Sequence, residues 1–250
     1  LEFDDKALTI SYDQLFSKGV IIVADANFLS STTSSPKSAN IEGYKVLRQT
    51  YMLLAMTVTW SALLAGVSLM LAPPPMFGLL ALVAGFFTLW RLHKVAHTSA
   101  ALGWVFAFTG LLGFSLGPTL GMYLQSASGG MVIVHALGTT GAIFLTLSGY
   151  TLISKKDFSF LGGFLSVGLW VLIGALVFSL VAGLFGVQIS GMHLAISSMA
   201  IVLFSGFILY DTHRILSGGE TNYVLATVSL YLSIYNLFIH LLALFGFADD

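Results

Sequence analysis

The chain of 250 residues contains no cysteine and few charged residues, and each absence excludes a class of protein. Without cysteine there can be no disulfide, no thiolate metal site and no cysteine nucleophile. Only 8% of the residues are charged and 57% are hydrophobic, whereas soluble domains average about 25% charged residues. Lys and Arg number 10 against 11 Asp and Glu, so the chain lacks the basic excess with which proteins bind nucleic-acid phosphates. The composition therefore indicates a protein of the lipid bilayer that does not bind nucleic acid.

The sparse charges leave four long runs without Asp, Glu, Lys or Arg. These runs are 49–90, 95–154, 158–210 and 221–248. A helix needs about 20 residues to cross the hydrocarbon core of a bilayer, so each of the first three runs has room for two helices and the last for one. Proline or glycine marks a turn inside each long run, at 73–75, 125–130 and 186–191.

We therefore predict an all-α polytopic membrane protein with a bundle of seven transmembrane helices. The predicted spans are about 49–71, 76–92, 99–123, 131–153, 161–184, 191–212 and 223–246. They make residues 44–250 one transmembrane domain. The preceding segment 1–43 ends in a run rich in Ser and Thr, which is typical of a flexible tail.

The basic residues lie on one side of these predicted spans. All ten fall in the N-terminal segment or in the loops after helices 2, 4 and 6: Lys6, Lys18, Lys37, Lys45, Arg48, Arg91, Lys94, Lys155, Lys156 and Arg214. Basic loops stay in the cytoplasm. We therefore expect a cytoplasmic N-terminal tail and, after seven crossings, a periplasmic C-terminus at Asp249 and Asp250.

The third predicted helix carries a packing signal. Gly113, Gly117 and Gly121 follow one another at four-residue spacing, which places three bare patches on one helix face where another helix can approach closely. We favour packing within the bundle over a dimer seam, because proteins with several membrane helices use small residues throughout their interiors. Pro118 removes one backbone donor and predicts a kink or break.

Asp211 is the strongest candidate for a functional residue, because it directly follows an apolar stretch that ends at Tyr210. A carboxylate inside the membrane suggests an ion path or a proton-sensitive latch. The alternative is that Asp211 lies solvated at the interface and pairs locally with His213 or Arg214. The last predicted helix presents Ser233 and Asn236 on one face, and we include both as candidate ion-sensing or proton-sensing partners of Asp211.

The remaining polar residues do not predict a metal, a cofactor or an active site. Of the six histidines, His93 and His97 are one turn apart but have no acidic neighbour, so we expect no metal. Aspartyl intramembrane proteases need two aspartates that share a proton, and 221–248 contains no acidic residue. The chain also lacks the HExxH motif of zinc proteases. We therefore expect no enzymatic activity.

Several separated phrases of the chain are similar to one known family. Gly117-Pro118-Thr119-Leu120 is followed by the run 136–144, and further matches are 44–51, 155–163, which begins Lys155-Lys156-Asp157, and 218–231. On these residues the chain resembles the Bax-inhibitor transmembrane family, and within it the bacterial YccA branch. The resemblance covers about 44–248 and does not extend to the tail.

The resemblance implies two functions, and both stay open here. The bacterial branch implies a protein of the inner membrane that binds and inhibits the ATP-dependent protease FtsH and so spares substrates such as unassembled SecY. A flexible tail is what such a protease can grip. The channel-like branch instead implies a pH-sensitive leak for calcium or other cations, gated by two aspartates. Asp211 matches the first aspartate, but Ser233 stands in place of the second.

Overall fold

The structure, a computed structural model, describes residues 36–154, 156–186 and 191–248. Most of the predicted tail, Lys155, Asp249 and Asp250 lie outside the described residues. The side chains of 36–41 and of residue 248 also lie outside them.

All regular structure in the described ranges is helical. The helices are α1 (Pro36–Leu71), α2 (Pro75–Val95), α3 (Ala101–Tyr123), α4 (Gly129–Ser154), α5 (Leu161–Leu184), α6 (Met192–Leu216) and α7 (Tyr223–Ala248). Each of the seven contains a stretch long and apolar enough to cross a membrane. The predicted all-α fold with seven transmembrane helices is confirmed.

Helix α1 begins at Pro36, before the expected end of the tail at residue 43. Proline is compatible with the first turn of a helix, where its missing N–H would have no partner. No further proline follows before Pro73. Within the described residues, the helix therefore includes the last part of the segment predicted as tail, and its membrane-spanning stretch is Glu42–Leu71.

Proline and glycine end the helices where the sequence predicted turns. Helix α1 ends before Ala72, whose φ of 43° is in the left-handed region, and Pro75 begins α2. Gly186 and Gly191 have φ values of 75° and 78°, which glycine adopts without steric cost. Helix α3 runs from Ala101 to Tyr123 with Pro118 inside it, so the predicted break at Pro118 does not occur. Membrane helices tolerate proline because neighbouring groups satisfy the freed backbone.

Helix α7 lies at the centre of the bundle, where it packs against α3, α4 and α6. Its hydroxyl groups also bond to α1. Helix α5 is peripheral and packs mainly against α6. The described loops 96–100, 156–160 and 217–222 follow α2, α4 and α6. We call the end of the bundle that they form the basic end, because the basic residues of the described loops and helix ends lie there.

Candidate functional site at the basic end of the bundle

Asp211 lies in the last turns of α6 and is 8% exposed. Neither of the partners predicted for it is available. His213 pairs with Asp157, with 3.0 Å between Nε2 and Oδ1, and Arg214 pairs with Glu220 at 3.1 Å. The alternative that Asp211 lies solvated and pairs locally with His213 or Arg214 is therefore wrong, because Asp211 is buried and the neighbouring loops pair with both of those side chains. Asp211 is a buried carboxylate without a hydrogen-bond partner among the described side chains.

The end of α6 and the following loop are held by backbone hydrogen bonds and one ion pair. The N–H of Gly219 donates to the carbonyl of Arg214 at 2.8 Å, and that of Gly218 donates to Ile215 at 3.2 Å. These two bonds form a Schellman motif, in which Gly218 takes the left-handed conformation with a φ of 79°. The motif turns the chain back so that Glu220 reaches Arg214. Arg214 and Glu220 are the charged groups that act electrostatically on Asp211.

The α4–α5 loop is fastened to α6 by Asp157. Its carboxylate accepts a hydrogen bond from the N–H of Ser159 at 2.8 Å and also pairs with His213. The bond from Ser159, followed by the charge of His213, holds the pKa of Asp157 below its ordinary value of 3.8. Phe158 is buried beside it, with its ring edge-on to His213 at 6.0 Å between centroids. Lys156 lies 5.9 Å from the ring of Tyr150.

Asn222 joins two loops of the basic end. Its side-chain oxygen accepts from the N–H of Val224 at 2.9 Å and caps α7, while its Nδ2 donates to the carbonyl of Ala96 at 2.8 Å. We did not single out Asn222 from the sequence. The signal was present, because asparagine just before an apolar run is a preferred N-cap. Together with Asp157 and Glu220, Asn222 fastens the three loops of the basic end to their neighbouring helices.

The structure does not join Ser233 or Asn236 to Asp211. The Ser233 hydroxyl donates to the carbonyl of Ser229 at 3.2 Å, and the Asn236 amide donates to Leu232 at 2.8 Å, both within α7. No hydrogen bond in the described part of the chain connects either of them to Asp211. The described residues also contain no cluster of three or more His, Asp or Glu side chains that could hold a metal ion.

The glycine face of α3 packs directly against α1. A Cβ atom added to Gly113 would overlap the backbone oxygen of Ser61, and one added to Gly117 would overlap the hydroxyl of Ser68. Gly121 is less crowded, because a Cβ atom added there would lie 3.6 Å from the side chain of Leu69. The two helices therefore approach as closely as their backbones allow, which glycine alone permits.

Two buried tyrosines of α7, which the sequence analysis did not identify, complete this contact. Tyr231 accepts a hydrogen bond from the Ser61 hydroxyl at 2.6 Å and donates to the carbonyl of Thr109 at 3.2 Å. Tyr235 donates to the Ser115 hydroxyl at 2.9 Å. These bonds tie α7 to α1 and α3 inside the bilayer, where an unpaired hydroxyl is costly.

Comparisons with known proteins agree with this architecture. The family model described as "Inhibitor of apoptosis-promoting Bax1" matches residues 44–250. The chain belongs to the Bax-inhibitor family. The match begins at residue 44, so it includes the three loops of the basic end and all seven spans except the first two residues of Glu42–Leu71.

Relatives within the family narrow the resemblance to the YccA branch. The chain is 43% identical over 218 residues to "Modulator of FtsH protease YccA" of Escherichia coli K12, covering 87% of this chain and 97% of the relative. The same values hold for "Inner membrane protein YccA" of Escherichia coli O6:H1. An "Uncharacterized membrane protein" of Vibrio cholerae is 43% identical over 220 residues, which are 88% of this chain and 96% of the relative. With its seven spans, the chain is a multi-pass protein of the inner membrane, like these YccA relatives.

Proposed function

We propose that this chain binds an FtsH-type ATP-dependent membrane protease and inhibits it by occupying it, with no catalytic activity of its own. The observation that carries the proposal is the 43% identity, over nearly the full length of both chains, to a protein named a modulator of FtsH protease. In this proposal the occupied protease spares its other membrane substrates, such as unassembled SecY. The basic end and segment 1–43 face the cytoplasm, and the C-terminus faces the periplasm.

The geometry of the basic end supports inhibition by occupancy. An ATP-driven protease unfolds a membrane protein by pulling on it, so a protein that resists unfolding holds the protease. Three loops of the basic end are fastened by Asp157–His213, Arg214–Glu220 and the two bonds of Asn222. Behind them, α3 and α1 meet at backbone contact. Segment 1–43 supplies the part that the protease grips.

The calcium-leak alternative has no comparable support. The resemblance places its second aspartate at position 233, which here is a serine that bonds within its own helix. The acidic group that does act on Asp211, Glu220, is paired with Arg214. We therefore propose one function only.

The direct test is the half-life of an unassembled FtsH membrane substrate in cells that overproduce this chain. A truncation before Pro36 removes the tail and keeps α1 intact. We expect the full chain to lengthen the substrate half-life several-fold and the chain lacking 1–35 to have little effect. An unchanged half-life with the full chain, together with failure to co-purify the protease, would overturn the proposal.

The role of the basic end is tested by the half-life of the chain itself. Asn222→Ala removes a helix cap worth about 1 kcal/mol and the bond to Ala96, so the protease should degrade this variant faster. The matched control is Gln125→Ala, because the Gln125 side-chain amide donates to Gly121 of the preceding helix, α3, and lies at the other end of the bundle. Equal half-lives of the two variants would show that the fastened loops do not resist extraction.

A further inference from the structure

An apolar groove lies between α1 and α4 on the outside of the bundle. It encloses about 540 Å³. Buried side chains of α7, among them Tyr231 and Phe238, lie at its base. Its walls include the small residues Ala62 and Gly66 of α1 and Gly141 of α4. The groove therefore opens towards the lipid at the depth of the membrane-spanning helices.

The length of the groove suits a lipid tail. Its α1 wall runs from Tyr51 to Gly66, a length of roughly 22 Å at the rise of an α-helix. The hydrocarbon core of a bilayer is about 30 Å thick, so the groove is longer than one leaflet is deep. An extended acyl chain can therefore lie along it.

The chemistry of the lining also favours hydrocarbon. Four of its five hydroxyl groups are already hydrogen-bonded within the protein: those of Ser61, Thr140, Tyr231 and Tyr235. The fifth, of Tyr51, is buried without a partner at the end of the groove nearest the basic end. Water is not held by apolar walls, and acyl chains are the mobile apolar groups at this depth of a bilayer.

Two basic residues, Lys45 and Arg48, lie where the groove reaches the basic end. Arg48 precedes Tyr51 by three residues and Ala55 by seven, so helical spacing places it on the groove face of α1. Lys45 lies one turn further out. Both are exposed, and neither takes part in an ion pair among the described side chains. An arginine guanidinium matches the oxygens of a phosphate group.

We propose that the groove between α1 and α4 binds one acyl chain of an anionic phospholipid whose phosphate is held by Arg48. The apolar walls select the chain, and Arg48 with Lys45 selects the negative headgroup. Each basic residue near a membrane surface favours an anionic lipid by about fivefold.

Native mass spectrometry of the purified, delipidated full chain tests the proposal. The probes are phosphatidylglycerol and phosphatidylethanolamine with identical acyl chains. We expect one phosphatidylglycerol per chain, bound at least about fivefold more tightly than phosphatidylethanolamine. Arg48→Ala should reduce this preference about fivefold, and the double variant Arg48→Ala with Lys45→Ala should abolish it. Arg91→Ala should keep it, because Arg91 packs on Trp104 away from the groove.

Glycine substitutions test the groove itself with a matched control. A Cβ atom on Gly66, Gly141 or Gly138 meets no atom within 4 Å, so leucine can be introduced at each without a clash at Cβ. Gly66 and Gly141 line the groove, whereas Gly138 lies outside its lining on the same helix as Gly141. We expect Gly66→Leu and Gly141→Leu to weaken phosphatidylglycerol binding at least tenfold and Gly138→Leu to leave it unchanged.

Three outcomes would overturn the proposal. The first is equal binding of the two lipids by the native chain, and the second is equal loss of binding in Gly138→Leu and Gly141→Leu. The third outcome is a disulfide-linked dimer. Because the chain has no native cysteine, a single cysteine can be placed in the groove by Ala62→Cys or outside it by Gly138→Cys. A dimer of Ala62→Cys in membranes, with no dimer of Gly138→Cys, would show that a second copy occupies the groove.

Discussion

Helix α5 faces the bilayer along most of its length, whereas helix α7 is surrounded by other helices. Helix α5 is the most apolar of the seven helices and yet the least buried, whereas α7 is among the most buried. Its large side chains, such as Phe164 and Trp170, are exposed, while Tyr231 and Ser233 of α7 are buried.

In soluble proteins the most apolar segments are buried, whereas here the more apolar of the two helices is the exposed one. Lipid tails are as apolar as a leucine side chain, so burying a leucine against another helix gains little. Close backbone contact and hydrogen bonds between hydroxyl groups favour association instead. The most apolar helix, α5, therefore faces the lipid, while α7 with its hydroxyl groups takes the inside of this bundle. Two variant pairs and one pH measurement can break or sharpen that comparison.

The largest expected effect comes from adding a side chain to a buried and to a lipid-facing glycine. Gly113→Leu would force α3 away from the backbone of Ser61, and such overpacking costs about 3 kcal/mol or more. Gly174→Leu on α5 enters open space and should leave stability unchanged. The measurement is the free energy of unfolding in mixed detergent micelles. Equal losses in the two variants would contradict the proposed division between inner and outer helices.

A smaller effect is expected from removing a hydroxyl group. Tyr231→Phe deletes the bonds to Ser61 and Thr109, and hydrogen bonds between membrane helices contribute about 1 kcal/mol each. Ser166→Ala on α5 removes only an exposed bond within one helix, to the carbonyl of Gly162, and serves as the control. Thermal unfolding of both variants in the same detergent should show a loss for Tyr231→Phe alone. No difference between them would mean that the tyrosine bonds do not hold α7 in place.

The smallest expected effect is a pH dependence of the stability of the α4–α5 loop, which precedes α5. The N–H of Ser159 and the charge of His213 lower the pKa of Asp157 in the folded protein. When folding lowers the pKa of a carboxyl group, that group stabilises the folded protein at any pH above its pKa in the unfolded chain. The stabilisation is lost as the pH falls through the pKa of the folded protein. Acid below about pH 4 should therefore loosen the α4–α5 loop.

Hydrogen exchange at the Ser159 amide measures this loosening. Protection should decrease with acid in the native chain and depend less on pH in Asp157→Asn, whose side chain does not titrate. A pH dependence that persists unchanged in Asp157→Asn would assign the effect to another group.

Comparison of particular residues shows why some features could be predicted and others could not. The number of spans follows from charge spacing, because each charge is costly in hydrocarbon, and the described part of the chain contains the seven predicted helices. Of the kink or break predicted at Pro118, the break does not occur, since a break depends on whether neighbouring helices satisfy the backbone. The surroundings of Asp211 were also unpredictable, because Asp157 and Glu220 come from other segments and take the partners that lie beside it in the sequence.

The sequence by itself determined the membrane class, the seven helices, the family and the side of the bundle on which the basic residues lie, because all of these follow from composition and local spacing. Only the tertiary structure decided that Asp211 is buried without a hydrogen bond from any described residue, that Tyr231 joins three helices and that an apolar groove lies between α1 and α4. These features depend on which faces of distant helices meet. In a bilayer, the spacing of apolar residues does not predict which helix faces meet, because lipid and protein are equally apolar neighbours.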